Sequence, residues 1–328
     1  MMNTSNDLAL NTTQIPLPHP FIALFVMSGL LGVGLLGILG SAIVTVVIFK
    51  HKSLRSSCFE LIAVGSIGSC LVAIYHVTNG VYFAGSSIGA FSLEKVRWQC
   101  VLINLTGLWG IPFHSILICF VGFDRLHSLL LPVRHRRLGK RYAHCIVTGC
   151  ILFVTAQCAL GLASVRMDEH LVVCQTLDDI VTVRFMNVYG GLNTAYYSIS
   201  VLLYLAIMLS CYWKSHSEYH TQTEAELFSQ QKLAIIPTVR LMIILYFVCG
   251  LLGEVLINSV LRQPPNQFIY FIRSVGINLK VMCSLVEIFS LLLRSSKFRE
   301  AFKSSFGCVP DQPSPIIVAW PSHSRTAL

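Results

Sequence analysis

The chain has 328 residues, of which 54% are hydrophobic and only 12% charged, with a mean hydropathy of +0.69 and a formal net charge of +9. A water-soluble domain carries roughly 25% charged residues, so this composition excludes an ordinary soluble enzyme or binding module and makes lipid the solvent. The cations are spread over several separate loops of the chain, which argues against a nucleic-acid partner.

Residues 1–20 contain no lysine or arginine and carry two acceptor sequons, at Asn3 and Asn11. Both are expected glycosylation sites in a segment outside the cell. Seven apolar runs follow, at about 21–49, 59–84, 101–131, 143–165, 188–213, 237–261 and 268–293. A bilayer span needs roughly 20 mainly apolar residues. Backbone polar groups find no water in hydrocarbon, so each run is predicted to be an α-helix. The expected fold is an all-α membrane protein, a seven-transmembrane helix bundle. Residues 1–20 form a short extracellular N-terminus, 21–294 the bundle, and 295–328 a cytoplasmic amphipathic helix and tail. The first run lacks a cleavable-signal pattern and is expected to act as its own signal anchor.

Lysine and arginine set the orientation. Lys50, Lys52 and Arg55 follow the first run, Arg134, Arg136, Arg137, Lys140 and Arg141 the third, Lys214 and Lys232 the fifth, and Arg294, Lys297, Arg299 and Lys303 the seventh. The intervening loops are poorer in cations, or offset them with Asp168, Glu169, Asp178 and Asp179. The N-terminus is therefore expected outside and the C-terminus in the cytoplasm, in a multi-pass protein of the plasma membrane.

Several motifs fail on context. The segment GVGLLG, Gly32 to Gly37, matches a dinucleotide fingerprint but lies inside a span with no preceding strand. Gly37 and Ser41 read instead as a small-residue pair for close helix packing. Asn104 opens a third sequon, inside the third run, where glycosylation is not expected. The twelve cysteines include no C-x-x-C, and there is no H-E-x-x-H or G-x-S-x-G. No enzyme, metal or cofactor is implied. Cys100, at the outer start of the third run, and Cys174, in the outer loop after the fourth, share an oxidising compartment where a bridge persists.

Near the inner end of the third run stands VGFDRLHSLLLP, with Asp124 and Arg125 adjacent and Pro132 seven residues after the arginine. Cys100 precedes Arg125 by 25 positions. With Cys174, this spacing resembles the rhodopsin-like G-protein-coupled receptors, and most of all the divergent serpentine chemoreceptors of nematodes, over about residues 20–306. The resemblance implies a Cys100–Cys174 disulfide across the outer mouth. It implies that Asp124 restrains Arg125 until the tail of a heterotrimeric G protein enters, and that a small molecule or short peptide binds in the outer half. After the seventh run, Phe298, Phe302 and Phe306 recur every four residues with Lys297, Arg299 and Lys303 on other faces. That pattern fits a helix lying on lipid, and Cys308 beyond it is a candidate for palmitoylation.

The sequence also departs from the family. In YFVCGLL, Tyr246 to Leu252, Gly250 stands where the family has tryptophan and Leu252 where it has proline. Glu287 to Leu291 takes the place of N-P-x-x-Y, and the second run lacks its acid. Lys232 falls where a second restraining acid belongs, so a looser resting state is expected.

Ionisable residues within spans are costly and default to function. Glu254, Arg273 and Lys280 lie in the last two runs, with His76 in the second and His114 in the third. Glu254 and Lys280 have two readings, a satisfied internal pair or a ligand-recognition element in which Arg273 or Lys280 grips an anion. Amine receptors of the family carry aspartate where this chain has Gly107, so an amine ligand is not expected. The register of Lys280 and the presence of Ile103 argue against retinal. A transporter or channel, or a receptor-like scaffold that does not signal, are the alternatives. No duplicated pair of Gly/Pro-broken spans supports the first of these.

Overall fold

The computed structural model describes residues 20–54, 56–88, 90, 94–163, 165, 171–173, 181–216, 236, 239–260 and 267–306. Helix one comprises Pro20–Ser28, a π-helical turn Gly29–Val33 and Gly34–Lys50. Helix two is Ser57–Ser87, helix three Arg97–Leu130, helix four Pro132–Ala163 and helix five Val183–His216. Helix six is Val239–Val260, with a π-helical stretch Tyr246–Leu252 continuing into Gly253–Val260. Helix seven is Gln267–Arg294, and a short helix eight follows at Ser296–Ser305. Among the described residues, helices one to six are long and apolar enough to cross a bilayer. Helix seven is 28 residues long and more polar, carrying Arg273, Lys280 and Glu287.

These helices expose large aliphatic side chains outward, as Leu36 and Leu39 do on helix one, Leu152 and Leu160 on helix four, and Leu202 and Leu209 on helix five. In water such surfaces would collapse together. Against lipid tails they cost nothing, and interhelix contact must come from close packing instead. Helix three is the central post. About two thirds of its apolar stretch is buried (67%), against 28% for helix four. It packs on helices two, four and five, while helix seven packs on helices one, two and six.

The tightest seam joins helices two and three, and two glycines make it. A side chain at Gly68 would meet the Phe113 ring at 3.1 Å and the His114 backbone at 3.3 Å. A side chain at Gly110 would meet Leu71 Cβ at 3.0 Å and the Val72 backbone nitrogen at 3.2 Å. On helix one, Gly37, Gly40 and Ser41 are all buried, and Gly40 faces Ile288 of helix seven.

Three features differ from the sequence reading. The cationic segment after helix three belongs to helix four, which begins at Pro132 rather than near residue 143. Proline suits a first helical position because no amide hydrogen is needed there. The all-α expectation also gains a small antiparallel pair, β1 (Glu94–Val96) and β2 (Leu171–Val173), with Glu94 opposite Val173. Backbone groups outside the helices still need partners, and this pairing supplies them to two distant loops. The phenylalanine stripe of helix eight is graded rather than uniform. Phe298 is fully buried against the bundle, Phe302 is partly buried, and Phe306 is 54% exposed.

Helix eight is fixed from both ends. Ser295 caps it by accepting from the Phe298 backbone N–H at 3.2 Å. Arg299 Nη1 donates to the carbonyls of Leu292 and Leu293, closing the end of helix seven. His51 Nε2 and Ser305 Oγ are 2.7 Å apart, joining helix eight to the end of helix one.

A leucine at Gly68 or Gly110 must force helices two and three apart. Each substitution is expected to destabilise the purified protein by about 1–3 kcal/mol, read as a lower thermal midpoint in detergent. Gly149→Leu, at a position with open space around it, should leave the midpoint within error.

Candidate functional site

Two polar centres lie within the bundle, one at the inner end of helix three and one between helices six and seven. At the inner end, Asp124 is only 1% exposed. A buried carboxylate needs hydrogen-bond donors, and two neighbouring helices provide them. His135 Nε2 donates to Asp124 Oδ1 at 2.9 Å from the first turn of helix four, and Ser57 Oγ donates to the same oxygen at 3.4 Å from the start of helix two. Pro132 opens the turn that presents His135, and the His135 amide bonds back to the Leu131 carbonyl. The His127 ring, one turn after Asp124, stands edge-on to His135 with centroids 5.5 Å apart.

Arg125 takes a different direction. Among the described residues no N···O contact within 4 Å joins its guanidinium to Asp124. Consecutive residues on an α-helix point about 100° apart, so the two side chains face different neighbours. Asp124 faces helices two and four. Arg125 lies within electrostatic reach of Cys58 on helix two, of Tyr204 on helix five and Tyr246 on helix six, whose rings stack 5.8 Å apart, and of Asp124 itself. Asp124 therefore carries a hydrogen-bonded tie to His135 that the sequence reading did not include, while its charge still acts on Arg125. His135 sat unnoticed within the basic segment, and only the early start of helix four brings it into reach.

The second centre is an ion pair between Lys280 Nζ and Glu254 Oε2, both side chains at most 10% exposed. Gly253, immediately before Glu254, and Gly276, one turn before Lys280, create it. A side chain at Gly253 would meet the Gly276 carbonyl at 3.0 Å, and one at Gly276 would meet the Gly253 carbonyl at 2.9 Å. The helices therefore touch backbone to backbone just below the pair. Lower on helix six, Gly250 stands in the π-helical stretch, and the Tyr197 ring of helix five fills its missing side-chain volume at 2.5 Å from where a Cβ would lie. The family's tryptophan position is therefore occupied by a tyrosine from another helix, which the local sequence around Gly250 does not reveal.

The remaining candidates are placed as follows. At Gly107 the Tyr75 ring of helix two packs on the backbone, and Tyr189 OH of helix five donates to the Gly107 carbonyl at 3.3 Å. His114 Nδ1 and Ser69 Oγ are 2.8 Å apart, so His114 ties helix three to helix two. Arg273 is half-buried on helix seven, two turns before Lys280. Asn104 is fully buried and bonded to Cys100 and Asn79, out of reach of glycosylation. Cys100 is buried and disulfide-bonded. Its expected partner Cys174, one position past β2, lies outside the described residues, as do Asn3, Asn11, Lys232 and Cys308 and the side chain of Glu287. Among the described residues no cluster of three or more His, Cys, Asp or Glu could hold a metal ion.

A double-mutant cycle reads the inner tie directly. His135→Ala leaves a buried carboxylate short of its nearest donor and should lower thermal stability. Combined with Asp124→Asn, the two changes should fall short of additivity by roughly 0.5–3 kcal/mol. Full additivity would place His135 outside the network.

The sequence profile of the serpentine type seven-transmembrane G-protein-coupled chemoreceptor family Srsx matches residues 34–306. The human endothelin receptor type B is 24% identical over 295 residues, an alignment covering 83% of this chain and 66% of the receptor, so the chain spans just under two thirds of the length of that relative. The profile match takes in helices two to eight and the Gly34–Lys50 part of helix one, and the chain belongs to the Srsx family of serpentine G-protein-coupled chemoreceptors.

Proposed function

We propose that the protein is a plasma-membrane receptor that binds a small molecule or short peptide in the outer half of its bundle and signals to a heterotrimeric G protein. Membership of a chemoreceptor family supports this over a transporter, channel or enzyme. In this reading helix seven is the seventh span, and its polar residues are tolerated because Lys280 is neutralised inside the bundle. The N-terminus, with Asn3 and Asn11, is extracellular, and Cys100 pairs with Cys174 above the mouth. Helix eight rests on the inner leaflet through Phe302 and Phe306, with Cys308 as its acylation site.

The observation that carries the proposal is the position of Arg125. It stands at the inner end of the most buried helix, beside Tyr204 and Tyr246, while Asp124 gives its hydrogen bonds to His135 and Ser57. A guanidinium presents several donors in a fixed fork and suits the carbonyls at the end of an entering helix. Asp124 contributes indirectly. Anchored on His135 and Ser57, it holds helix four and helix two against helix three, and Pro132 sets the start of helix four.

The test is G-protein dissociation in cells expressing the receptor at matched surface level. Wild type is expected to show coupling without ligand, because Asp124 is hydrogen-bonded to His135 and Ser57 and, among the described residues, makes no direct contact with the Arg125 guanidinium. Arg125→Ala should abolish both basal and ligand-driven coupling. A silent wild type that stays silent with every ligand, at normal surface expression, would overturn the receptor reading.

A second expectation concerns the outer pair. Removing one partner of a buried ion pair costs about 3–5 kcal/mol. Lys280→Met alone should therefore reduce surface expression sharply, and Lys280→Met combined with Glu254→Gln should restore much of it.

A further inference from the structure

The Glu254–Lys280 pair is flanked on both sides by polar groups that the protein leaves unfilled. On the Lys280 side, helix two supplies His76, 5% exposed and within the field of the ammonium. Its Nε2 has no hydrogen-bond partner within the protein. On the Glu254 side, helix five supplies Asn193, wholly buried; its amide nitrogen is in reach of the Tyr189 hydroxyl, and its carbonyl oxygen has no partner within the protein. Asn193 lies one turn after Tyr189, which sits in the field of the Glu254 carboxylate together with Tyr197. Native interiors satisfy nearly all buried polar atoms. Here a cation, an anion, an imidazole and an amide from four helices converge with more hydrogen-bonding capacity than the protein uses.

Charge balance restricts what can fill this capacity. A cationic ligand would take Glu254 and leave Lys280 buried without a counter-charge. An anionic ligand would do the reverse. Breaking a buried pair by satisfying only one partner is strongly unfavourable. A molecule that carries both charges close together replaces one ion pair with two and leaves no charge unmatched.

We propose that the ligand is a zwitterion of the α-amino acid type, inserted between Glu254 and Lys280. Its carboxylate is held by the Lys280 ammonium and by His76 Nε2–H. Its ammonium donates to the Glu254 carboxylate and to the Asn193 side-chain carbonyl. Tyr189 and Tyr197 supply the aromatic wall beside the carboxylate end of the site. Insertion parts helix six from helix seven at the place where Gly253 and Gly276 let them touch, so occupancy is coupled to the spacing of two helices. The proposal rests on the receptor reading for its consequence in signalling but not for binding itself.

The experiment uses matched trios, each an amino acid with its decarboxylated amine and its deaminated acid, such as phenylalanine, phenethylamine and 3-phenylpropanoate. The trios cover aromatic, aliphatic and small side chains. Binding is read as a thermal shift of the purified full chain, and signalling as G-protein dissociation in cells. In at least one trio the zwitterion should bind at least about tenfold more tightly than either singly charged partner. Glu254→Gln should narrow the gap to the acid, and Lys280→Gln the gap to the amine. The exchanged pair Glu254→Lys with Lys280→Glu keeps the internal bridge, so it checks that these effects are not loss of folding. It should retain zwitterion binding with reduced affinity.

A singly charged member that binds best, or preferences that neither variant moves, would overturn the proposal. So would the absence of binding by every trio in a receptor that couples basally, which leaves the receptor reading standing. Zwitterion binding with no coupling under any condition would instead uphold the ligand class and sink the receptor reading.

Discussion

Charge buried below the surface of a lipid-facing bundle must find its partner on another helix, and this requirement organises the structure. Asp124 on helix three is satisfied by helices two and four, through Ser57 and His135. Lys280 on helix seven is satisfied by helix six, through Glu254. Each pairing draws together elements that lipid would otherwise leave indifferent to one another, since apolar side chains gain no hydrophobic free energy by leaving lipid for each other. The glycines serve the same end. Gly253 and Gly276 bring backbones close enough for the ion pair, and Gly68 and Gly110 do so for the seam in which Ser69 meets His114. Polar tie and small-residue contact lie within a turn or two of each other in both places.

What the sequence discloses follows from the range of the physics involved. The spans are legible because hydrocarbon thickness acts on each run separately, so composition within about twenty residues is enough. The spacing from Cys100 to Arg125 is legible because one rigid helix carries both. The tie of Asp124 is not, because it depends on which way a helix face points and on where the next helix begins. Asp124 and Arg125 are neighbours in sequence, yet about 100° apart around helix three. His135 lies among Arg134, Arg136 and Arg137, where composition announces only a basic inner loop. The filling of the Gly250 position by Tyr197 is likewise a contact between helices, as is the pairing of Glu94–Val96 with Leu171–Val173. Even Asp124 and His135, 11 residues apart, are brought together only by the break between two helices, and the partners of the other two contacts lie far apart in sequence.

Helix three carries the inner centre as an unbroken post, whereas helix six runs from one centre to the other through a less regular element. Its π-helical stretch, Tyr246–Leu252, lies between Glu254 above and the Tyr204–Tyr246 stack beside Arg125 below. Hydrogen bonding in a π-turn reaches one residue further than in an α-helix, and such turns are rare and concentrate at functional sites. Returning one π-turn to α geometry shifts the residues on either side relative to each other by about one position, a rotation of roughly 100°. That is enough to swing Glu254 away from helix seven while Tyr246 stays stacked on Tyr204, or to hold Glu254 and turn Tyr246.

Transmission between distant sites needs an element with two discrete arrangements that both sites bias. The two ends of this stretch face different demands. The outer end is held by the Glu254–Lys280 ion pair, the inner end by aromatic packing beside Arg125. Gly250 removes the side chain that would lock the stretch into one register, and the Tyr197 ring occupies the space without a covalent link to helix six. A bulky side chain fixed to helix six at that point would have to move with any change of register, whereas a ring from helix five can stay as the backbone slides past it. The loss of the family's tryptophan is therefore compatible with a switch in helix six, relocated from a side-chain rotation to a change in the helix itself.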